Sequence, residues 1–315
     1  MQSFSLQNMI QEFGKELFSA LQQTENSCFN GGISSPADAK KEIYYLLSYV
    51  LKKDKVFLLS HSDYVLKSTE FENFISCFER RKNGEPLAYI TGQKEFYGTT
   101  FCVDSSTLIP RADTEILVEE AIRYYSAQKS AQPFYIMDLG TGTGCILLSV
   151  LKECPQSFGY GADINRCAIE LAKHNAIQLE LTQRSHFFVS DFTSDAFFAQ
   201  LEETVQGKRL DCIVSNPPYI PDYEYDSLAV SVRQFEPKSA LVSGQAQNGE
   251  NGLAHAERVL QLGEKFLKSG GLLLIEHGYN QGKAMRDLCS RYAYHSIKTL
   301  FDLSQRERVL YAMRK

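Results

Sequence analysis

The chain has 315 residues, 43% of them hydrophobic and 23% charged, which is ordinary globular composition with length enough for one large domain or two of moderate size. Its 33 basic and 38 acidic side chains leave a formal net charge of -5, and that balance weighs against non-specific nucleic-acid binding, which needs a basic face to meet phosphate. Eight cysteines without a C-x-x-C pair and six scattered histidines have neither zinc-ligand nor disulfide-framework spacing, so no metal is expected and the thiols are expected free and buried or half-buried.

Residues 1–90 read as a small helical domain. Phe4, Ile10, Phe13, Leu17 and Leu21 recur near helical spacing, and Cys28 to Gly32 reads as a loop around Asn30-Gly31-Gly32. Ser35 followed by Pro36 predicts an N-cap and first helical residue, opening a helix that turns Ile43, Leu46, Leu47 and Val50 inward. Thr69-x-x-Glu72 predicts a capping box ahead of Phe74, Ile75 and Phe78, and Gly84 and Pro86 stop that helix. Residues 91–112 are expected to link two domains through a β-hairpin, with short strands at Phe96-Tyr97-Gly98 and Phe101-Cys102-Val103 around a Gly-Thr-Thr turn.

From residue 113 to 315 strands alternate with helices. Strands are predicted at 134–138, 159–163, 187–189, 211–214 and 272–276, with helical patterns between them, for example at 165–178 and 252–267. This rhythm predicts an α/β fold: a Rossmann-like, mainly parallel sheet with helices on both faces. Two further strands, near 296–301 and 308–313, leave no room for a helix between them, so the last strand should run antiparallel. Seven strands result.

Asp138-Leu139-Gly140-Thr141-Gly142-Thr143-Gly144 follows the first of these strands and opens a helix, the place where such sheets bind ligands. Cys145 stands where a dinucleotide fingerprint has its third glycine, and no P-loop lysine is present. Gly-x-Gly-x-Gly after an acidic strand end resembles motif I of the S-adenosylmethionine-dependent methyltransferases. Asp163, ending the second strand, can accept from two ribose hydroxyls through charge-assisted bonds, although a carboxylate there suits a dinucleotide as well. By the same resemblance Asp191 or its neighbour meets the adenine amino group, and Phe192 lies on the ring.

Asn216-Pro217-Pro218-Tyr219 follows the fourth strand, 72 residues after Gly144, which places it at the rim of the same cleft. The tetrapeptide resembles the signature of methyltransferases that act on a nitrogen conjugated to a carbonyl or an aromatic ring. An amide nitrogen is a poor nucleophile because its lone pair is shared with the carbonyl. The Asn216 side-chain oxygen and the Pro217 carbonyl are candidate acceptors for its two N–H groups. Pro218 stiffens the turn, and Tyr219 offers a flat wall that favours developing positive charge. With a cationic methyl donor, positioning supplies most of the help, and no dedicated base is expected.

Adenine N6-methyltransferases share this tetrapeptide. Further stretches separate the two: Gly92-Gln93-Lys94-Glu95-Phe96-Tyr97-Gly98, the run from Leu108-Ile109-Pro110-Arg111 to Glu115, Phe235-Glu236-Pro237, Glu276-His277-Gly278, and the end containing Asp302 and Arg306 to Val309. From about residue 84 onward the chain resembles the release factor glutamine N5-methyltransferases, the PrmC/HemK family. The resemblance implies S-adenosylmethionine held by Gly140, Thr141, Gly142, Thr143, Gly144, Asp163, Asp191, Phe192 and Asn216. It further implies a substrate glutamine in the Gly-Gly-Gln motif of class 1 release factors, held at Asn216 through Tyr219, and a helical domain that grips the release factor. Ala112 stands where the family usually has proline, and Phe192 where it often has tryptophan. Arg111, Glu236 and Glu276 each have a structural reading as good as a functional one. The alternatives are a nucleic-acid base methyltransferase and a non-catalytic release factor binding module. The N-terminus has no basic region followed by an apolar one, and the apolar runs 146–151 and 272–275 are too short to span a bilayer. A cytoplasmic monomer with no direct contact to nucleic acid or membrane is expected.

Overall fold

The computed structural model describes residues 5–23, 33–128, 132–246, 249 and 251–315; Phe4 and the loop from Cys28 to Gly32 lie outside these. Two compact units divide the chain, one of Met1–Gln93 with Ser227–Glu236, the other of Lys94–Asp226 with Pro237–Lys315.

The first unit is built from α1 (Leu6–Gln23), α2 (Pro36–Leu51), α3 (Lys55–Ser60), α4 (Ser68–Lys82) and α5 (Leu87–Thr91). Ser35 caps α2 by accepting from Asp38 N at 3.2 Å, and Pro36 takes the first helical position, where a missing N–H costs nothing. The predicted box at Thr69 and Glu72 is displaced: α4 opens two residues earlier, with Lys67 at the N-cap, and the Glu70 carboxylate accepts from Lys67 N at 2.8 Å. Tyr64 decides this register by donating to the same carboxylate at 3.1 Å. Leu17, Leu46, Leu47, Phe74 and Phe78 fill the core, and the Phe13 ring meets Phe74 and Phe78 edge-on at 5.0 and 4.9 Å.

In the second unit, β1 (Gln93–Phe96), whose first residue closes the other unit, and β2 (Thr99–Cys102) form the hairpin. Its turn is Tyr97-Gly98, not the expected Gly-Thr-Thr, with both residues at positive φ (48° and 64°), the pair of left-handed positions that matches the strands' twist. Tyr97 is held there because its N–H donates to the Glu115 carboxylate at 2.9 Å.

A short 3-10 turn (Ala112–Thr114) then leads into α6 (Glu115–Ala127), β3 (Phe134–Leu139), α7 (Cys145–Glu153), β4 (Ser157–Asp163), α8 (Arg166–Gln178), β5 (Ser185–Val189), α9 (Ala196–Val205) and β6 (Leu210–Ser215). There follow β7 (Ile220–Pro221), α10 (Val230–Phe235), which groups with the first unit, β8 (Val242–Ser243), α11 (Ala254–Phe266), β9 (Leu267–Glu276), α12 (Gly282–Cys289), β10 (Tyr294–Phe301) and β11 (Glu307–Arg314). Seven strands pair in the order β10-β11-β9-β6-β3-β4-β5, and β11 runs antiparallel to both neighbours, as expected. β3 and β6 lie centrally and are buried almost throughout, which is why they read as continuous apolar runs. α7 is buried along seven successive residues, as a helix enclosed on all sides must be. Cys167 is exposed, against the expectation of buried or half-buried thiols; Cys145, Cys154, Cys212 and Cys289 are buried.

Candidate active site

The strand order changes direction at β3, whose neighbours are β6 and β4, and the carboxyl ends of these strands border one cavity of about 290 Å³. This is where open α/β sheets place ligands, because helices leaving opposite faces open a crevice there. Gly140, Gly142 and Gly144 all lie at positive φ. A Cβ on Gly140 would stand 3.7 Å from the Phe192 ring, inside the space the turn leaves open. Gly144 answers to packing: its Cβ would press on Leu148, Ala172 and Phe187 at 3.1–3.3 Å, and it does not line the cavity, whereas Gly140, Thr141, Gly142 and Thr143 do.

Asp138 is fully buried below the turn. Thr141 Oγ1 donates to its Oδ2 at 2.7 Å, and Oδ1 has no hydrogen-bond partner among the described residues. Burial pushes this carboxyl up to about 7, against the pull of the Thr141 bond. Asp163 closes β4 and accepts from Gly142 N and Asn165 N, each at 2.9 Å. Burial raises its pKa as well, opposed by those backbone donors. The second-strand carboxylate is thereby fixed to the glycine turn itself. Asp191 and Phe192, after β5, line the same cavity.

His255, at the start of α11, lines the cavity opposite no sequence signal. Its ring meets Phe192 edge-on at 5.8 Å, and its Nδ1 lies 2.7 Å from Ser243 Oγ. Desolvation lowers its pKa, with Asp191 pulling the other way.

Asn216 and Pro218 line the cavity; Pro217 is buried and Tyr219 half-buried, and neither lines it. Ser215 Oγ ties the start of the turn to Leu139 O at 2.7 Å, and Ile220 N donates to Leu241 O at 2.9 Å beyond it. Asn216 Nδ2 donates to Thr114 Oγ1 at 3.3 Å. Thr114, which no motif marked, also lines the cavity, and its side chain favours the charged form of Glu276, whose carboxyl burial pushes up to about 7. Glu276 is buried at the end of β9 beside Arg308, which forms ion pairs with Asp113 (3.1 Å) and Asp302 (3.2 Å). Arg111 is half-exposed on the cavity wall; Glu236 is buried and belongs to the first unit. No group of three or more His, Cys, Asp or Glu residues suited to a metal ion occurs among the described residues, and no described helix is long and apolar enough to cross a membrane.

This sheet, the glycine turn at its switch point and the carboxylate that follows define a Rossmann-like methyltransferase of the S-adenosylmethionine-dependent class. Residues 134–314 match the family described as a methyltransferase domain, and residues 19–92 match the PrmC N-terminal domain. Release factor glutamine methyltransferases from Aliivibrio fischeri (38% identity, 84% of this chain and 86% of the relative), Vibrio cholerae (37%, 92% and 94%) and Escherichia coli (35%, 86% and 90%) are similar to it along most of its length. The chain belongs to the release factor glutamine methyltransferase family. Among solved structures, the N-terminal domain of human METTL16 in complex with SAH shares the fold, with a TM-score of 0.50 at 15% identity over 87% of this chain and 94% of that one.

Proposed function

We propose that this chain methylates the side-chain amide nitrogen of the glutamine in the Gly-Gly-Gln motif of class 1 release factors, with S-adenosylmethionine as methyl donor. One observation carries the reading. The Asn216 Nδ2 is spent on Thr114, so its Oδ1 remains as an acceptor beside a cavity that also holds the glycine turn.

The residues present suit the cofactor. Asp163 is held by two backbone N–H groups and retains lone pairs for a pair of ribose hydroxyls. The slot kept open by Gly140 beside the Phe192 ring suits a flat base, with Asp191 as acceptor for its amino group. Thr141, Gly142, Thr143 and Gly144 form the turn around the remainder of the cofactor. When bound, the cofactor supplies an electrophilic methyl group and departs as a neutral thioether.

The chain's own work is orientation. Asn216 Oδ1, on the cavity wall, accepts from one N–H of the substrate carboxamide, the carbonyl of Pro217, a residue behind that wall, is the candidate acceptor for the other, and together they turn the face of the nitrogen towards the donor. Pro218 removes a backbone freedom that binding would otherwise have to quench. Tyr219, at the end of the turn and outside the cavity lining, is the candidate flat wall that favours the positive charge that develops. The amide proton leaves to solvent after transfer, and no residue is assigned as a base. The helical domain of residues 1–90 binds the release factor. The enzyme is assigned as a cytoplasmic monomer without direct contact to nucleic acid, the last point supported by its net charge of -5.

The test is incubation with methyl-labelled cofactor and a release factor, either intact or with the glutamine of its Gly-Gly-Gln motif replaced. Label should enter only the intact protein, and equal labelling of both would end the proposal. Asn216→Ala should lose turnover while still binding the cofactor.

A further inference from the structure

We propose that His255 is a hydrogen-bond donor to the purine base of the cofactor, locked in its donating tautomer by Ser243. The inference deepens the functional reading above and rests on its placement of the base against Phe192. A neutral imidazole carries one N–H and one bare nitrogen, so the partner of one ring nitrogen decides what the other offers.

The tautomer follows from counting protons. Ser243 Oγ, on β8, accepts from His255 N at 3.3 Å and lies 2.7 Å from His255 Nδ1. Ser243 is 1% exposed, and no other group bonds its hydroxyl among the described residues, so its proton has Nδ1 as its one acceptor. With a proton on Nδ1, two N–H groups would meet the Ser243 oxygen, and the hydroxyl proton would be buried without a partner, at the cost of an unmade bond. Nδ1 therefore accepts, and the ring proton sits on Nε2. Burial also keeps the imidazole neutral by lowering its pKa, with Asp191 pulling the other way.

Nε2 is available to a ligand. It has no hydrogen bond among the described residues, it is not sealed from solvent, and its ring lines the cavity. The Phe192 ring that faces Gly140 meets the imidazole edge-on at 5.8 Å. Asp191, the chain neighbour of Phe192, supplies the complementary half. Its Oδ1 accepts from Thr193 N at 2.8 Å and from Thr193 Oγ1 at 2.5 Å, which leaves Oδ2 as an acceptor. An acceptor and a donor flanking Phe192 match adenine, whose amino group stands beside a bare ring nitrogen. Arg258, one turn along α11 from His255, fixes their spacing. Its Nε donates to Phe192 O at 3.2 Å and its Nη2 to Ser194 O at 2.8 Å, so the loop carrying Asp191 and Phe192 is tied to the helix carrying His255.

The test uses the full chain labelled with 15N and S-adenosylhomocysteine, the demethylated cofactor, with its 1-deaza and 7-deaza forms, each lacking one ring nitrogen that flanks the amino group. The His255 ring signals, identified by their loss in His255→Gln, should show a proton on Nε2 and none on Nδ1 in the free wild type. S-adenosylhomocysteine should shift the Nε2–H signal. One deaza form should fail to shift it and should bind about 3- to 10-fold more weakly by calorimetry, the worth of one hydrogen bond. That deficit should vanish in His255→Leu, because ligand and variant then remove the same contact. Ser243 is a positioning residue: Ser243→Ala should divide the ring between two tautomers and raise Kd about 2-fold. A proton on Nδ1 in wild type, or deaza deficits that persist in His255→Leu, would overturn the assignment. So would an Nε2–H signal that the parent ligand leaves unmoved, the result for a ring turned to the outer hollow beside Gln245 and Gln261. A wild-type enzyme that leaves release factor glutamine unmethylated overturns the functional reading alone, since these titrations contain no release factor.

Discussion

Gln281 Nε2 donates to the main-chain carbonyl of Tyr219 at 2.9 Å, while Gln281 Oε1 accepts from Gly278 N at 2.8 Å. One side chain just ahead of α12 therefore clamps the downstream end of the Asn216-Pro217-Pro218-Tyr219 turn to the loop that follows β9. Gln281→Met keeps the volume and loses both bonds. It should lower kcat about 10-fold, the range for a modest misplacement of a positioned group, and leave cofactor affinity unchanged in a calorimetric titration.

Gly252 lies against the same carbonyl. At φ +79° it would carry a Cβ that overlaps Tyr219 O and stands 2.8 Å from Gln281 Nε2. Gly207 has a similar φ of +74° with nothing within 4 Å of its Cβ position. Alanine at either site should cost about 1 kcal/mol of stability through the left-handed backbone. Only Gly252→Ala should also cut kcat, by about 10- to 100-fold. Thermal unfolding and steady-state kinetics on the two variants separate strain from displacement of the turn.

Asp163→Asn tests the carboxylate that is bound to the glycine turn. The asparagine keeps one acceptor oxygen and puts an NH2 group against either Gly142 N or Asn165 N. Loss of a charge-assisted bond worth about 1.5–3 kcal/mol should raise cofactor Kd about 10- to 100-fold. Calorimetry or equilibrium dialysis with S-adenosylmethionine measures this, and an unchanged Kd would remove Asp163 from the proposed cofactor site.

Asp138 gives the free protein a pH dependence with a definite sign. Its pKa is raised by burial from 3.8 to about 7, so between those values the folded state holds a proton that the unfolded state has released. Its contribution is fully present below about 4 and is lost as pH rises through 7. Asp138→Asn stays neutral and can still accept from Thr141. The difference in melting temperature between Asp138→Asn and wild type should therefore grow in favour of the variant from pH 5 to pH 8. A constant difference would show that the carboxyl titrates normally.

In the helical unit, Arg81 is 2% exposed and reaches Glu42 through Nε at 2.6 Å and Nη2 at 3.3 Å. Arg81→Ala strands a half-buried carboxylate and leaves a void where a buried side chain stood. It should cost about 3 kcal/mol, whereas removing the exposed Lys41–Asp38 pair by Lys41→Ala should cost well under 1 kcal/mol. Denaturant unfolding followed by circular dichroism distinguishes the two.

Much of the catalytic unit was legible because its signals are short-ranged. The apolar runs of β3, β6 and β9, the glycines after β3 and the Asn216-Pro217-Pro218-Tyr219 turn each encode a backbone shape within a few residues. The repeating strand–helix rhythm then forces both motifs to the same edge of the sheet. Where local signals were nearly degenerate, a distant partner settled them. The α4 capping box fell two residues from its expected place because Glu70 serves both Lys67 N and Tyr64. The hairpin turn fell at Tyr97-Gly98 because Glu115 holds Tyr97 N.

The sequence by itself determined the seven-stranded sheet, the cavity's glycine turn and the tetrapeptide facing it, since hydrophobic periodicity and special backbone angles are properties of adjacent residues. Only the tertiary structure decided what orients that tetrapeptide. Thr114 meets Asn216 across 102 positions and Gln281 meets Tyr219 across 62. A hydrogen bond depends on distance in space, and the folded sheet alone brings those pairs within 3.3 Å.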